Sequence, residues 1–320
     1  MRRPGAIALY VRPRAIVLLC CTAVATVAAA FARSHWLLEL CTHFTVHYAM
    51  AGVLFAVLLF TLRAWRWAIL ALVITGWNGW LMATLLLGNP AQPNAPGRTL
   101  KVAHVNVNMS PDALERFVHW IDASEPDVDI VVLLEATSAL APALEELAMR
   151  FPHQKADLRD SPFGIAMLSR LPPTFSAINY ANPVRPVAVM RFDLDGKTLA
   201  IYGAHPPPPI SGALAAERND ALEWLASTLR DERVLHRMLV GDLNVTPWSP
   251  HFADLLAKSG LRNSGAGLGL QNTWPSVPAA SVLGIAIDHS LVSERIRVVT
   301  RRLGPGIGSD HLPVLLVLDL

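Results

Sequence analysis

GDLNVTP, residues 241–247, follows the apolar run HRMLV (236–240) and ends on a proline. If the strand it terminates runs over 237–244, Asp242 and Asn244 lie two positions apart and project to the same side. An acid and an amide would then stand together at the mouth of an apolar strand. One such pair is an ordinary turn or cap, because Asp and Asn bond readily to nearby backbone.

The same placement recurs along the chain. Strands are expected over 100–108 (LKVAHVNVN), 128–136 (VDIVVLLEA) and 164–170 (GIAMLSR). A hairpin is expected over 187–205 with its turn at Asp195-Gly196, and closing strands lie within AIDHSLVS (286–293) and HLPVLLVLDL (311–320). Between them, Ser110 and Pro111 open one helix as cap and first-turn residue, and 213–231 forms an amphipathic second. Alternating elements with hairpins predict an α/β sandwich with mixed sheets. Asn106, Glu135, His205, Asp242 with Asn244, Asp288 with His289, and Ser309 to His311 all fall at strand edges. Strand edges are where sheet scaffolds hold their sites. Six such places in one domain point away from turn chemistry and toward a common active site.

In this order, KVAHVNVN, DIVVLLEAT, GIAMLSRLP, YGAHPPPP, GDLNVTP, AIDHSLVS and GSDHLPV make the chain resemble the endonuclease/exonuclease/phosphatase superfamily. Apurinic endonucleases, deoxyribonucleases, sphingomyelinases and inositol polyphosphate phosphatases are among its relatives, and the likeness covers essentially all of 99–320. Within that superfamily the chain is similar to membrane-anchored bacterial members. The resemblance implies a four-layered α/β sandwich, with two mixed sheets flanked by helices. It also implies roles. Asn106, Glu135 and Asp310 correspond to metal-holding or metal-orienting positions, and Asp242 to the residue that activates the attacking water. Asn244 and His205 correspond to phosphate-facing groups, Asp288 to the acid supporting the catalytic histidine or to a second metal position, and His311 to the contact with the scissile phosphate.

That chemistry is self-consistent. Phosphoester hydrolysis needs polarised phosphoryl oxygens, an aligned water and donors for developing charge. Hard oxygen ligands such as a Glu carboxylate and an Asn carbonyl suit Mg²⁺ or Mn²⁺. An imidazolium beside an aspartate, as His311 would be next to Asp310 and Asp288, keeps its charge at neutral pH.

Some residues depart from the pattern. HVN stands where many relatives carry Trp before the first Asn, and His104 reads as a core or rim histidine rather than a ligand. Tyr180, Arg185 and Arg191 are candidate substrate contacts without a local motif. Trp274 closes GAGLGLQNTW (265–274), a stretch expected to form a mobile loop beside the site, where the indole either stacks on substrate or packs. This glycine pattern lacks the strand–helix context of a dinucleotide fingerprint.

The first 88 residues differ in kind. Three apolar stretches, 15–32, 44–62 and 67–87, are each about long enough to cross a bilayer. Of 27 basic and 25 acidic residues, seven arginines and Glu39 lie before residue 89, leaving 20 and 24, a net charge of −4 for 89–320. Arginines before the first stretch and at 63 and 66 predict a cytoplasmic N-terminus and an exterior chain beyond residue 88. A cleaved first segment would leave the same location. The expectation is therefore a multi-pass protein of a bacterial inner membrane, with helices 1–88 in contact with lipid, a Pro-rich linker over 89–98, and a periplasmic or extracellular domain over 99–320. His43 and His47 read as interfacial side chains, and GWNGW (76–80) as helix packing. The three cysteines, Cys20, Cys21 and Cys41, all precede the domain, so it has neither a disulfide framework nor a thiolate metal site. The substrate class stays open between a lipid headgroup and a small phosphorylated metabolite, with a nuclease acting on DNA or RNA as the alternative. A ligand- or partner-binding module without turnover is the contrasting class. No protein partner is inferred.

Overall fold

The computed structural model describes residues 6–87, 98–182, 184–277 and 283–320. Apart from Arg98, the linker expected over 89–98 lies outside the described residues. The chain divides into two compact units, Met1–Leu87 with Trp248–Pro250, and Gly88–Pro247 with His251–Leu320.

The first unit is helical: α1 (Ala6–Ala30), α2 (Trp36–Leu40), a 3₁₀ turn (Cys41–Phe44), α3 (Thr45–Thr61) and α4 (Trp65–Leu87). Leu9–Ala30 and Trp36–Thr61 are long and apolar enough to cross a membrane. The second starts earlier than residue 44, because α2 and the 3₁₀ turn run straight into α3. The segment expected as a third span is α4. Its partner surface is built from small residues: Ala56, Ala64, Ala68 and Ala71 pack with Leu19, Leu59 and Ile74. A Cβ on Gly52 would lie 2.4 Å from Thr75 Oγ1, so α3 and α4 approach closely only with glycine there. Asn78 of GWNGW is buried and donates to Thr26 Oγ1 at 3.2 Å and to Ile74 O at 2.9 Å. Its role within this unit is packing. His47 rests edge-on against Phe44, with ring centroids 5.5 Å apart.

The second unit begins with β1 (Thr99–Asn106), α5 (Pro111–Ser124), β2 (Ile130–Leu134) and α6 (Ala141–Leu147). It continues with β3 (His153–Asp157), β4 (Ile165–Ser169), β5 (Phe175–Asn182), β6 (Arg185–Leu194), β7 (Lys197–Ala204), α7 (Gly212–Asp231) and β8 (His236–Asp242). It closes with α8 (Pro250–Ser259), β9 (Leu261–Asn263), β10 (Asp288–Ser293), β11 (Arg297–Leu303) and β12 (Val314–Asp319). The strands form two six-stranded sheets, β11-β12-β1-β2-β4-β3 and β5-β6-β7-β8-β10-β9.

Alternation along the strands sends one set of side chains between the sheets and the other under the helices. Val102, Val132, Met167, Met190, Ile201, Met238, Val240 and Leu316 fill the inter-sheet core. Val105, Val131 and Leu133 pack with Leu114, Phe117 and Ile121 of α5, while Tyr202 and Leu239 pack with Leu222, Leu225 and Leu229 of α7. The result is the expected helix–sheet–sheet–helix sandwich. Each such buried side chain contributes about 1.5–3 kcal/mol.

One topological feature positions the site. Each sheet contains one parallel pair, β1 with β2 and β7 with β8, flanked by an antiparallel strand, β12 beside β1 and β10 beside β8. Parallel strands end on the same side, and their antiparallel neighbours begin there. Six chain segments therefore meet at one end of the sandwich.

Candidate active site

The opening pair is assembled differently from a strand. β8 stops at Asp242, and Asn244 has φ 50°, so the chain turns out of the sheet between them. The strand expected over 237–244 is thus two residues too long. The turn itself joins the pair: Asp242 Oδ1 accepts from Asn244 N at 3.0 Å, and Asn244 Nδ2 donates to Pro206 O at 3.0 Å. Gly241 is required, because φ is 143° and a Cβ would lie 2.0 Å from Ala204 O. That close approach sets Asp242 beside His205, which follows β7.

Asp242 Oδ2 is the focus of the cleft. Asn106 Nδ2 lies 3.3 Å away, His205 Nε2 3.4 Å and His311 Nε2 3.6 Å. Asn106 Nδ2 also donates to Glu135 Oε1 at 2.8 Å, while its Oδ1 accepts from Asn108 N at 2.9 Å. The amide therefore turns its nitrogen to both carboxylates and its oxygen to backbone; in this arrangement it orients Glu135. Glu135 follows β2 with φ 57°.

His205 Nδ1 donates to Pro162 O at 2.9 Å, which fixes the ring with Nε2 toward Asp242. His311 Nδ1 donates to Asp288 Oδ2 at 2.8 Å. Ser309 stitches the last loop to the first strand, donating to Asn106 O at 2.7 Å and accepting from His311 N at 3.0 Å. All of these side chains except the partly buried Glu135 are 9% exposed or less, so each interaction acts with little solvent screening.

Charge follows from these contacts. Burial pushes Glu135 above the usual carboxylate range, which the charges of His205 and His311 only partly offset. Burial alone would lower His311, yet the Asp288 and Asp242 charges raise it well above an ordinary imidazole. Burial likewise works to raise Asp288, and the His311 charge and hydrogen bond hold it low instead. His205 is raised too: Asp242 and Glu135 overcome its desolvation.

Donor chemistry decides which residues suit a metal. Asp242, Asp288 and His311 bring potential ligand atoms within 4.8 Å of one another. His311 is a poor ligand there, because it is held protonated and its Nδ1 is engaged by Asp288. Glu135 fits a hard divalent cation better. Among the described residues Asn106 is its one side-chain hydrogen-bond partner, and its desolvated carboxylate lacks a compensating lysine or arginine. Asp310 is exposed, and its Oδ2 accepts from Trp274 Nε1 at 3.0 Å. That bond places both residues at the rim.

Three remaining candidates, Arg185, Arg191 and Tyr180, lie outside the polar centre, while His104 is in the core as expected. Arg185 lies 3.3 Å over the Phe163 ring, which sits 5.8 Å from His205, and its guanidinium is taken by Glu217, with NH2 3.0 Å from Oε2. It backs the cleft instead of offering a free phosphate clamp. Arg191 lies six residues further along β6, about 20 Å away by strand geometry, paired with Glu232 at 2.7 Å. It is not part of the site. Tyr180 donates to Asp157 Oδ2 at 3.0 Å beside Arg159, at the cleft end of β5 but outside the polar centre. His104 is fully buried, with Nε2 2.8 Å from Ser290 Oγ, and belongs to the core.

Two supporting arginines escaped sequence reasoning. Arg218 of α7 is fully buried and donates to Asn244 O at 2.8 Å, bracing the turn that carries Asp242. Its signal was available: it falls on the stripe of Ala215, Ala221, Leu222 and Leu225, where a charge is out of place. Arg301 of β11 is also buried and donates to Asp288 O at 3.1 Å. No local pattern announces it.

With this constellation assembled, comparison with known proteins is decisive. The family model described as Endonuclease/Exonuclease/phosphatase family matches residues 103–311. The chain belongs to the endonuclease/exonuclease/phosphatase family. The fold agrees. D. rerio TDP2, solved in complex with a single-strand DNA product, superposes with TM-score 0.57 at 15% identity, covering 69% of this chain and 99% of that one. A member of the endonuclease/exonuclease/phosphatase family from Leptotrichia buccalis gives TM-score 0.55 at 14% identity, with 69% and 100% covered. One from Bacteroides thetaiotaomicron gives 0.53 at 18%, with 71% and 100% covered. No curated protein sequence matches the chain. Members of the endonuclease/exonuclease/phosphatase family are phosphoester hydrolases and generally depend on a divalent metal.

Proposed function

We propose that the chain is a membrane-anchored phosphoesterase that uses Mg²⁺ or Mn²⁺ to hydrolyse a phosphodiester or phosphomonoester. The observation that carries this reading is the convergence of Asn106, His205 and His311 on one oxygen of Asp242, beside Glu135.

Glu135 would hold the cation, with Asn106 orienting it and Asp310 the next nearest candidate at the rim. Bound there, the metal would supply polarisation of the phosphoryl oxygens. Asp242 holds the attacking water and takes up its proton. The geometry suits this: Oδ1 is fixed by the Asn244 amide, and Oδ2 faces the cleft. His311, kept cationic by Asp288, donates to a phosphoryl oxygen as charge develops. His205, locked by Pro162 O, is the second donor. Asn244 shapes the turn and stands next to the phosphate position.

Anchorage is supported by two helices of spanning length, and the arginines at 2, 3, 12, 14, 63 and 66 favour an exterior, periplasmic catalytic domain in a bacterial inner membrane. Nucleic acid is the second substrate class, favoured by the DNA-product complex of the TDP2 relative and opposed by the net −4 charge of 89–320, obtained from 20 basic and 24 acidic residues. The test is turnover of bis-p-nitrophenyl phosphate by the full chain in detergent, with Mg²⁺ or Mn²⁺ and with EDTA. Turnover that needs the metal and disappears in Asp242→Asn supports the reading. A folded protein with no metal-dependent turnover overturns it in favour of a binding module.

A further inference from the structure

The two ends of the sandwich differ in surface chemistry. At the cleft end, residues 107–110, 206–211, 264–277 and 283–287 contain no Asp, Glu, Lys or Arg. These segments and the β5–β6 turn instead expose large apolar side chains: Met109, Val184 (51%), Ile210 (74%), Trp274 and Val277 (53%). The charged loop residues there are engaged: Arg159 pairs with Asp157 at 2.7 Å, Asp160 accepts from Ser138, and Asp310 accepts from Trp274 at 3.0 Å. At the other end, residues 125–129, 231–233 and 294–295 alone hold eight charged side chains.

Single exposed apolar residues are normal on any protein. At the other end Met149, Phe175 and Leu235 are exposed too, but among those charges; around the cleft the apolar side chains stand on segments without charge, which solubility does not explain. A polyanionic strand would be drawn by a basic rim, and a free phosphorylated metabolite gains nothing from an uncharged apolar one. An amphiphile satisfies both halves: its phosphoester reaches His205 and His311 while its hydrocarbon meets Ile210 and Val277. Trp274, indole nitrogen bonded to Asp310 and ring partly exposed, has the amphipathic character of side chains at lipid–water interfaces.

We propose that this rim docks on a lipid–water interface and that the phosphoester hydrolysed belongs to a lipid headgroup. The inference rests on the phosphoesterase reading above. The apolar N-terminal helices add a tether that keeps the domain at a membrane, so a substrate resident in that membrane is met at high effective concentration.

The experiment compares three substrates of the full chain in detergent with Mg²⁺ or Mn²⁺: bis-p-nitrophenyl phosphate, long-chain phosphatidylglycerol in mixed micelles, and single-stranded DNA. Wild type is expected to hydrolyse the phospholipid, and to do so faster than DNA. Ile210→Asp and Val277→Asp, both outside the catalytic set, are expected to keep bis-p-nitrophenyl phosphate turnover within twofold, which also reports that they fold. Their kcat/KM for the micellar lipid should fall tenfold or more, about 1.4 kcal/mol. If either aspartate variant misfolds, the Ile210→Ser/Val277→Ser double variant is read the same way. Unchanged lipid hydrolysis in the variants, or a wild type that cleaves DNA in preference to phospholipid, overturns the inference while leaving the phosphoesterase intact. Absence of turnover on all three overturns both.

Discussion

Four buried histidines of the catalytic domain behave as two opposed pairs. His205 and His311, at the floor of the cleft, face Asp242, and their basicity is raised. His104 and His289 lie within the sheets, a few residues away in sequence from site residues. His104 meets Ser290 Oγ, and His289 Nε2 donates to Val245 O at 2.7 Å under the Phe252 ring. Burial pushes these two down to about 3 and about 4. Desolvation is common to all four, and what separates them is direct contact: a carboxylate oxygen lies within 3.6 Å of the His205 and His311 rings, whereas His104 and His289 bond to a hydroxyl and a carbonyl. Carboxylates favour the protonated form of the cleft histidines, and burial favours the neutral form of the interior pair.

The contrast breaks most sharply if a member of the cleft pair or the carboxylate it faces is removed. Asp242→Asn and His311→Ala are each expected to lower kcat by about 10²–10⁴-fold, the usual worth of a positioned acid or base, measured as initial rates on bis-p-nitrophenyl phosphate. Asp288→Asn leaves His311 in place but removes the charge that holds its proton. The raised cation is then lost at a lower pH than in wild type, so the alkaline limb of the rate profile should move toward neutrality. The deficit should be larger at pH 8 than at pH 6, and a profile displaced equally at every pH would argue that Asp288 only positions the ring.

The interior pair predicts a stability effect of opposite sign. The folded values of His104 and His289 lie below that of a free imidazole, near 6.5, so the unfolded chain binds protons that the native domain refuses. Their contribution is complete above pH 6.5 and is lost as pH falls toward 4, at about 1.4 kcal/mol per pH unit for each proton. Thermal midpoints between pH 7 and 5 should therefore drop, and His289→Gln should flatten the slope. The smallest effect belongs to Arg191, paired with Glu232 far from the cleft. Arg191→Ala should cost about 1 kcal/mol or less and leave turnover unchanged; a clear loss of rate would return it to the site.

Much of this was legible before any coordinates. Hydropathy separated the helical first unit from the sandwich, and strand-edge polar residues singled out Asn106, Glu135, His205, Asp242, Asp288 and His311, which the fold brings to one end. The misplaced expectations share a cause. Arg185 and Arg191 look alike in sequence, yet Glu217 and Glu232, on and after a helix packed over the sheet, neutralise them. Asn244 seemed to continue a strand, but its backbone turns where Gly241 meets Ala204 O.

By itself, then, the sequence determined what local pattern controls: where strands and apolar helices run, which polar groups end them, and the family to which that order belongs. Tertiary structure alone decided which groups touch. The reach of Asp242 to three side chains from β1, β7 and the last loop, and the sign of each histidine's shift, depend on distances of 2.8–3.6 Å between residues as many as 136 apart in the chain. Electrostatic interaction in a desolvated cleft varies steeply over such distances, and no periodicity along the chain encodes them.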